Sequence, residues 1–212
     1  MQKKAFIYDF DNTISPVPSI GNRLFAPLFN LIKEDGGFEG DFDSIKDAVM
    51  RQPFQGVAKD FKFTKQLTDK SVALINGLTY EGPLTPSEDF EETKKLFGEK
   101  YLVTTGFYKL QKSKINASWV RNDFKEIYII EPATTDKVKK DIFKEIVQAN
   151  RYHSNEVMII GDDPESETKA GNELNIDTVL NDKYHRFSKL DATYKIDNYK
   201  QLVEIVEQLA GE

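Results

Sequence analysis

The sequence predicts an α/β fold: a doubly wound, mostly parallel sheet with helices on both faces and an inserted α-helical cap. Two observations carry this. Short apolar runs that end abruptly in small or acidic residues alternate with stretches of helical periodicity. Between the first run and the second lies a long segment with helical patterning and little strand character.

The first run is Ala5 to Tyr8, which opens directly into Asp9-Phe10-Asp11-Asn12-Thr13. Leu102 to Thr104, Ile127 to Ile130 and Val157 to Ile160 repeat its form. They are followed by Thr105-Gly106, Glu131-Pro132 and Gly161-Asp162-Asp163. Runs that are apolar without alternation are buried on both faces, as strands of a parallel sheet are. Weaker strands are read at Thr178 to Leu180 and Thr193 to Ile196. Lys137 to Ala149 has helical spacing, with Val138, Ile142, Phe143, Ile146 and Val147 on one face. Asn198 is placed to cap a final helix that carries Leu202, Ile205, Val206 and Leu209. The inserted segment reads as helices at Leu24–Lys33, Phe42–Met50, Val57–Leu67 and Ser71–Leu78, punctuated by Gly36-Gly37, Pro53 and Gly82-Pro83. Residues 1–15 and 84–212 therefore form the core, and residues 16–83 the helical cap.

With 39% hydrophobic and 30% charged residues, the chain suits a folded protein and not a disordered one. It has no cysteine, which excludes disulfides, thiolate nucleophiles and thiolate metal sites. No apolar run reaches the length of a membrane span, and the N-terminal run is too short for a secretion signal, so a cytoplasmic protein is expected. The net charge of −6 argues against nucleic acid as a partner but leaves room for a small phosphorylated metabolite in a locally positive pocket.

Ligands of such sheets bind at the C-terminal ends of the strands, where four groups of polar residues gather. Asp9 and Asp11 can supply a nucleophile or metal ligand and a proton shuttle, or simply an Asx turn at Asn12. Thr104, Thr105 and Gly106 can offer a hydroxyl and backbone N–H groups to an anion, or cap the following helix. Lys137 opens a helix, where a cation opposes the macrodipole; it either points into the crevice or lies in solvent like Lys139 and Lys140. Asp162, Asp163 and Glu167 form a dense set of oxygens of the kind Mg2+ prefers, or acids that favour a helix N-terminus.

In this order, each at a strand end, these residues resemble the four motifs of the haloacid dehalogenase (HAD) superfamily, whose core is Rossmann-like. Asp9-Phe10-Asp11-Asn12-Thr13 is similar to motif I, Thr104 falls on the motif II hydroxyl, Lys137 on the motif III lysine, and Gly161-Asp162-Asp163 on motif IV. The insertion after motif I resembles a C1 cap. The resemblance implies a phosphatase: Asp9 attacks phosphorus to form an aspartyl-phosphate, and Asp11 protonates the leaving group and then activates water. It also implies Mg2+ on the Asp9 carboxylate, the Asp11 carbonyl and the Asp162 carboxylate, with Asp163 or Glu167 in support. Thr104 and Lys137 would hold the phosphoryl oxygens. An acid at position 11 accompanies phosphatases and phosphomutases and is lacking in dehalogenases. Phosphatase and phosphomutase share every one of these residues. A non-catalytic binding protein of this fold is disfavoured by the intact acids, and an interaction module would use the acidic surface and the cap.

Other residues read as structural or solvated. His153 and His185 form no metal spacing; His153 is expected on the surface. Trp119, Phe107 and Tyr108 read as packing, and Phe54, Phe61 and Phe63 as cap core. Arg23 and Arg51 read as solvated, and Lys109, Lys112 and Lys114 as a helix face in water.

Overall fold

The computed structural model describes residues 2–187 and 191–211; Met1 and Glu212, the outermost residues of the two core ranges, lie outside them. Among the described residues six strands form one sheet: β1 (Ala5–Tyr8), β2 (Glu99–Thr105), β3 (Glu126–Ile130), β4 (Val157–Gly161), β5 (Asp177–Asn181) and β6 (Tyr194–Ile196). All are parallel, in the order β3-β2-β1-β4-β5-β6. This is the α/β, Rossmann-like architecture that the alternating runs predict. β1 is central and fully buried, with Tyr8 beside Leu102 on one side and Ile160 on the other.

Period-2 alternation along β1 divides the core in two. Phe6 and Tyr8 face one apolar layer, where α6 (Tyr108–Ala117) contributes Leu110 and Ile115 and α9 (Tyr199–Gly211) contributes Leu202 and Val203. Ala5 and Ile7 face the other, where α7 (Lys139–Ala149) contributes Ile142, Phe143 and Ile146 and α8 (Lys169–Glu173) contributes Ala170. The Asn198 side chain accepts from Gln201 N–H at the start of α9 (3.2 Å), as its position suggests.

Between β1 and β2 lie five α-helices, α1 (Pro18–Leu24), α2 (Ala26–Asp35), α3 (Phe42–Val49), α4 (Phe54–Asp60) and α5 (Lys65–Gly77), and then a 3-10 helix, Glu88–Lys95. The apolar faces of the α-helices bury Leu28, Ile32, Ile45, Val57, Leu67 and Ile75, in one cluster with the Tyr8 layer. The expected bounds need correction here. Val57–Leu67 is not one helix. Glu39 N–H bonds to Phe61 O and Thr64 N–H to Gly37 O (both 2.8 Å), Lys62 adopts φ +47°, and Thr64 Oγ1 then caps α5 by accepting from Leu67 N–H. Those backbone bonds to the 37–39 stretch compete with helix continuation and win. The segment read as Leu24–Lys33 is split at Phe25, with Pro27 inside the first turn of α2.

α8 lies close against β5. A Cβ on Gly171 would meet Thr178 Cγ2 at 2.2 Å, and Thr178 cannot rotate away cheaply because its hydroxyl accepts from Thr193 N–H (3.1 Å). Gly171→Ala is therefore expected to destabilise the protein by about 1–3 kcal/mol, the usual range for overpacking. Urea unfolding measures it; an unchanged midpoint contradicts this account of α8 packing.

Candidate active site

Asp9 follows β1 without a break, and its N–H bonds to Ile160 O (2.9 Å), which extends the ladder with β4 by one residue. Its carboxylate is thereby fixed at the reversal of the strand order, between β1 and β4, and it is only 6% exposed. The chain then turns sharply: Asn12 sits at φ +59°, tolerated by Asn more than by most residues. Asn12 ties the turn to the helical insert, donating from Nδ2 to Met50 O (3.1 Å) and accepting from Val17 N–H (3.3 Å). The Asx-type role read for Asn12 and the acidic role read for its neighbours thus coexist. The next residue, Thr13, is anchored by its carbonyl, which accepts from Tyr199 OH (2.8 Å) and Asn181 Nδ2 (3.2 Å). Its hydroxyl lies 3.3 Å from Asp9 Oδ2 and 3.4 Å from Asp162 Oδ1, bringing the two carboxylates around one small group.

Asp162 follows β4, buried, with Oδ2 accepting from Arg186 (3.0 Å). Glu167 reaches back from a π-turn, Pro164–Thr168, into the same crevice and is 2% exposed. Gly161 makes room for it, since a Cβ there would meet Glu167 Cγ at 2.3 Å. Asp163 turns away and caps that π-turn, accepting from Glu165 N–H (2.9 Å). Of the two candidates for supporting acid, Glu167 lies in the cluster and Asp163 at the helix start.

The lysine in this cluster is Lys139 and not Lys137. Lys139 Nζ donates to Asp9 Oδ1 (2.5 Å) and to Glu167 Oε1, and its side chain is 11% exposed. Lys137 is half exposed and pairs with Glu145 (2.6 Å). The helix begins two residues later than its apolar periodicity suggests: Asp141 reaches back to accept from Val138 N–H (2.9 Å), and Lys137 N–H goes to Thr135 Oγ1. That leaves Lys137 before the helix and puts Lys139 in its first turn, facing the crevice.

At the end of β2, Thr104 is buried and its hydroxyl accepts from Gln111 Nε2 (2.9 Å). Thr105 accepts from the same nitrogen through its carbonyl (3.2 Å). The Gly106 N–H bonds to Ile130 O (2.9 Å), so it is not turned to an anion; the β2–β3 ladder claims it. Gln111 Nε2 also donates to Asp11 Oδ2 (2.9 Å), and Lys114 Nζ lies 2.6 Å from both Asp11 oxygens. Lys114 is thus a buried partner of Asp11 and not part of a solvated lysine face. The signal for this is helical: Gln111 and Lys114 share the face of buried Leu110 and Ile115, at spacings of three and four. Arg186, remote in sequence from Asp162, carried no such signal.

Among the described residues, the crevice holds three buried carboxylates, those of Asp9, Asp162 and Glu167, against the two cations Lys139 and Arg186. Burial, reinforced by Glu167 and Asp162 and opposed by Lys139, pushes the Asp9 carboxyl up to about 8. Burial and then Glu167, opposed by Arg186, push Asp162 up to about 6. Burial disfavours the Lys139 ammonium, but Asp9 and Glu167 outweigh it and hold the proton above the usual lysine range. Excess buried negative charge is what a bound cation relieves. Among the described residues no three acidic or histidine side chains enclose a metal. The Asp9 and Asp162 carboxylates, brought together around the Thr13 hydroxyl, are hard oxygen donors of the kind Mg2+ accepts with waters completing its shell, so they fit it. Above these groups opens a cavity of about 780 Å³ that runs between the strand ends and the helical insert.

No known sequence family matches the chain, and no curated protein matches it in sequence. Solved structures do. The HAD-hydrolase YfnB from Bacillus subtilis, bound to magnesium, aligns with a TM-score of 0.67 at 17% identity, over 97% of this chain and 99% of that one. CbbY from Rhodobacter sphaeroides, in complex with phosphate, aligns with a TM-score of 0.67 at 12% identity, over 95% and 96%. The fold is that of the HAD-like hydrolases. A dehalogenase also aligns, with a TM-score of 0.60 at 12% identity over 96% of both chains, so the HAD-like fold by itself does not choose the reaction.

The raised acids make stability depend on pH. Between about 4, where an unfolded aspartate ionises, and about 8, the native state keeps a proton on Asp9 that the unfolded chain has lost. The native state binds more protons there, so metal-free protein is expected to lose stability as pH rises through this window. Asp162 adds to the loss up to about 6. Urea midpoints from pH 5 to 8 should fall in the wild type and fall less in Asp9→Asn. A midpoint that rises equally in both proteins contradicts the assignment.

Proposed function

We propose that the chain hydrolyses a phosphate monoester in a Mg2+-dependent reaction with Asp9 as nucleophile. The observation that carries this reading is a buried carboxylate at a strand end, clasped by a lysine, with a second acid two residues on that lines the same cavity. Asp9 attacks phosphorus, the P–O bond to the alcohol breaks, and an aspartyl-phosphate forms. Lys139, which replaces Lys137 in the role the motif assigns, and the Thr104 hydroxyl hold phosphoryl oxygens and offset the charge on them. Mg2+ would be held by the carboxylates of Asp9 and Asp162 and the carbonyl of Asp11, and would supply charge neutralisation at the transferring group. Glu167 and Thr13 orient Lys139 and the carboxylates.

Asp11 donates the proton that the departing alkoxide needs, and takes one from the water that then attacks the aspartyl-phosphate. It can do so only if its contact with Lys114 loosens. Its other contact holds it less firmly: Gln111 Nε2 carries two hydrogens yet meets three acceptors, Asp11, Thr104 and Thr105, so Asp11 can leave Gln111 without costing that amide a hydrogen bond. A dehalogenation needs no such acid, because no alkoxide leaves; the presence of Asp11 in the crevice favours phosphoryl transfer. The helices of residues 18–77 then act as a lid that excludes water, a role in keeping with the interdomain movement described for YfnB.

Phosphate release from a panel of monoesters tests the reading. Release is expected with Mg2+, lost with chelator, and at background in Asp9→Asn. Lys139→Met should lower kcat by about 10²–10³-fold, as loss of one donor to developing charge does, while Lys137→Met stays close to wild type. No release from any compound by folded, Mg2+-loaded protein, or equal loss in the two lysine variants, contradicts it.

A further inference from the structure

The cavity over Asp9 has two chemically distinct ends. Its floor is the carboxylate and lysine cluster. Its far end, toward the helical insert, is walled by Val17, Phe25, Val49, Phe54, Ile75 and Leu110, each less than 9% exposed. Of the polar side chains in the lining near these residues, Gln111 and Lys114 of α6 are engaged by Thr104 and Asp11, and Asn12, Arg51 and Gln52 border the insert. Asn12 has its amide engaged at both ends, by Met50 O and Val17 N–H. Gln52 donates to Asp60 (3.2 Å), and Arg51 is 58% exposed and leans toward Asp47 (3.8 Å). A polyhydroxylated leaving group placed there would lose water from its hydroxyls and meet carbon. Each hydroxyl buried there without a partner loses its water and gains nothing in return.

We propose that the substrate is the phosphate monoester of an apolar alcohol, aliphatic or aromatic, and not a sugar or polyol phosphate. The ester phosphate would sit at Asp9 and Lys139, and the hydrocarbon in the chamber formed by α1 to α5 and Leu110 of α6. The size of the cavity allows this, since it is within the range of about 300–1,000 Å³ that small-molecule sites occupy. The inference rests on the monoester reading above and adds the class of the leaving group.

Cyclohexylmethyl phosphate and glucose 6-phosphate form the decisive pair. Both carry a six-membered ring on a primary phosphate ester, so they differ chiefly in the ring oxygen and hydroxyls. Calorimetry on Asp9→Asn with Mg2+ reads binding without turnover. Cyclohexylmethyl phosphate is expected to bind at least about tenfold more tightly. Val49→Thr, nearly the same shape with one hydroxyl added to the wall, should reduce that preference at least about threefold; a thermal melt establishes that it is folded. Equal binding, tighter binding of glucose 6-phosphate, or binding of neither overturns the proposal, as does a preference that Val49→Thr leaves unchanged. Wild-type phosphate release from the same two esters keeps the readings apart. Hydrolysis favouring the sugar phosphate sinks the apolar class and leaves the phosphatase standing. Tight cyclohexylmethyl binding with no phosphate released from either ester, or from the monoester panel, supports the chamber and sinks the phosphatase.

Discussion

The ammonium of Lys139, placed between the carboxylates of Asp9 and Glu167, is the contact on which the crevice depends. Two buried carboxylates without it would repel each other across a medium that screens poorly. With it, one negative charge is still left over in the cluster, even after Arg186 is set against Asp162. Burial first, and then that remainder, make Asp9 resist ionisation, and a divalent cation is one way to offset the remainder. Asp11 is handled separately, with its own buried lysine, Lys114, on another helix.

The two lysines come from opposite faces of the sheet. α7 packs on the Ile7 face and delivers Lys139; α6 packs on the Tyr8 face and delivers Lys114. Asp9 and Asp162 come from neighbouring strands at the point where the strand order reverses. A parallel sheet with right-handed crossovers leaves a crevice there, so the polar cluster is a consequence of topology. Gly161 and Gly171 let the β4 loop and α8 close up against the sheet by having no side chain where Glu167 and Thr178 lie.

Much of this was legible in the sequence, for physical reasons. Strands buried on both faces read as plain apolar runs, and their ends are marked by Asp9, Thr104 and Asp162. Strand ends are therefore the easiest positions to place. Helix starts are harder. Val138 is apolar and periodic with the helix, yet it precedes it, because Asp141 caps the backbone from inside; that two-residue shift is why Lys137 was read in place of Lys139. Lys114 was missed because a run of lysines looks solvated unless the buried face of the helix is counted. Arg186 was beyond reach, since a contact across loops has no period. The break at Phe61–Thr64 was equally hidden, because it depends on backbone pairing with residues 37–39.

If Asp9 forms the proposed covalent intermediate, acid quenching during turnover of a monoester substrate traps it. Mass analysis of the digested protein is predicted to find the phosphoryl group on the peptide carrying Asp9, and on none in Asp9→Asn. Phosphate released by turning-over enzyme with no adduct on that peptide, or an adduct elsewhere, would contradict the account.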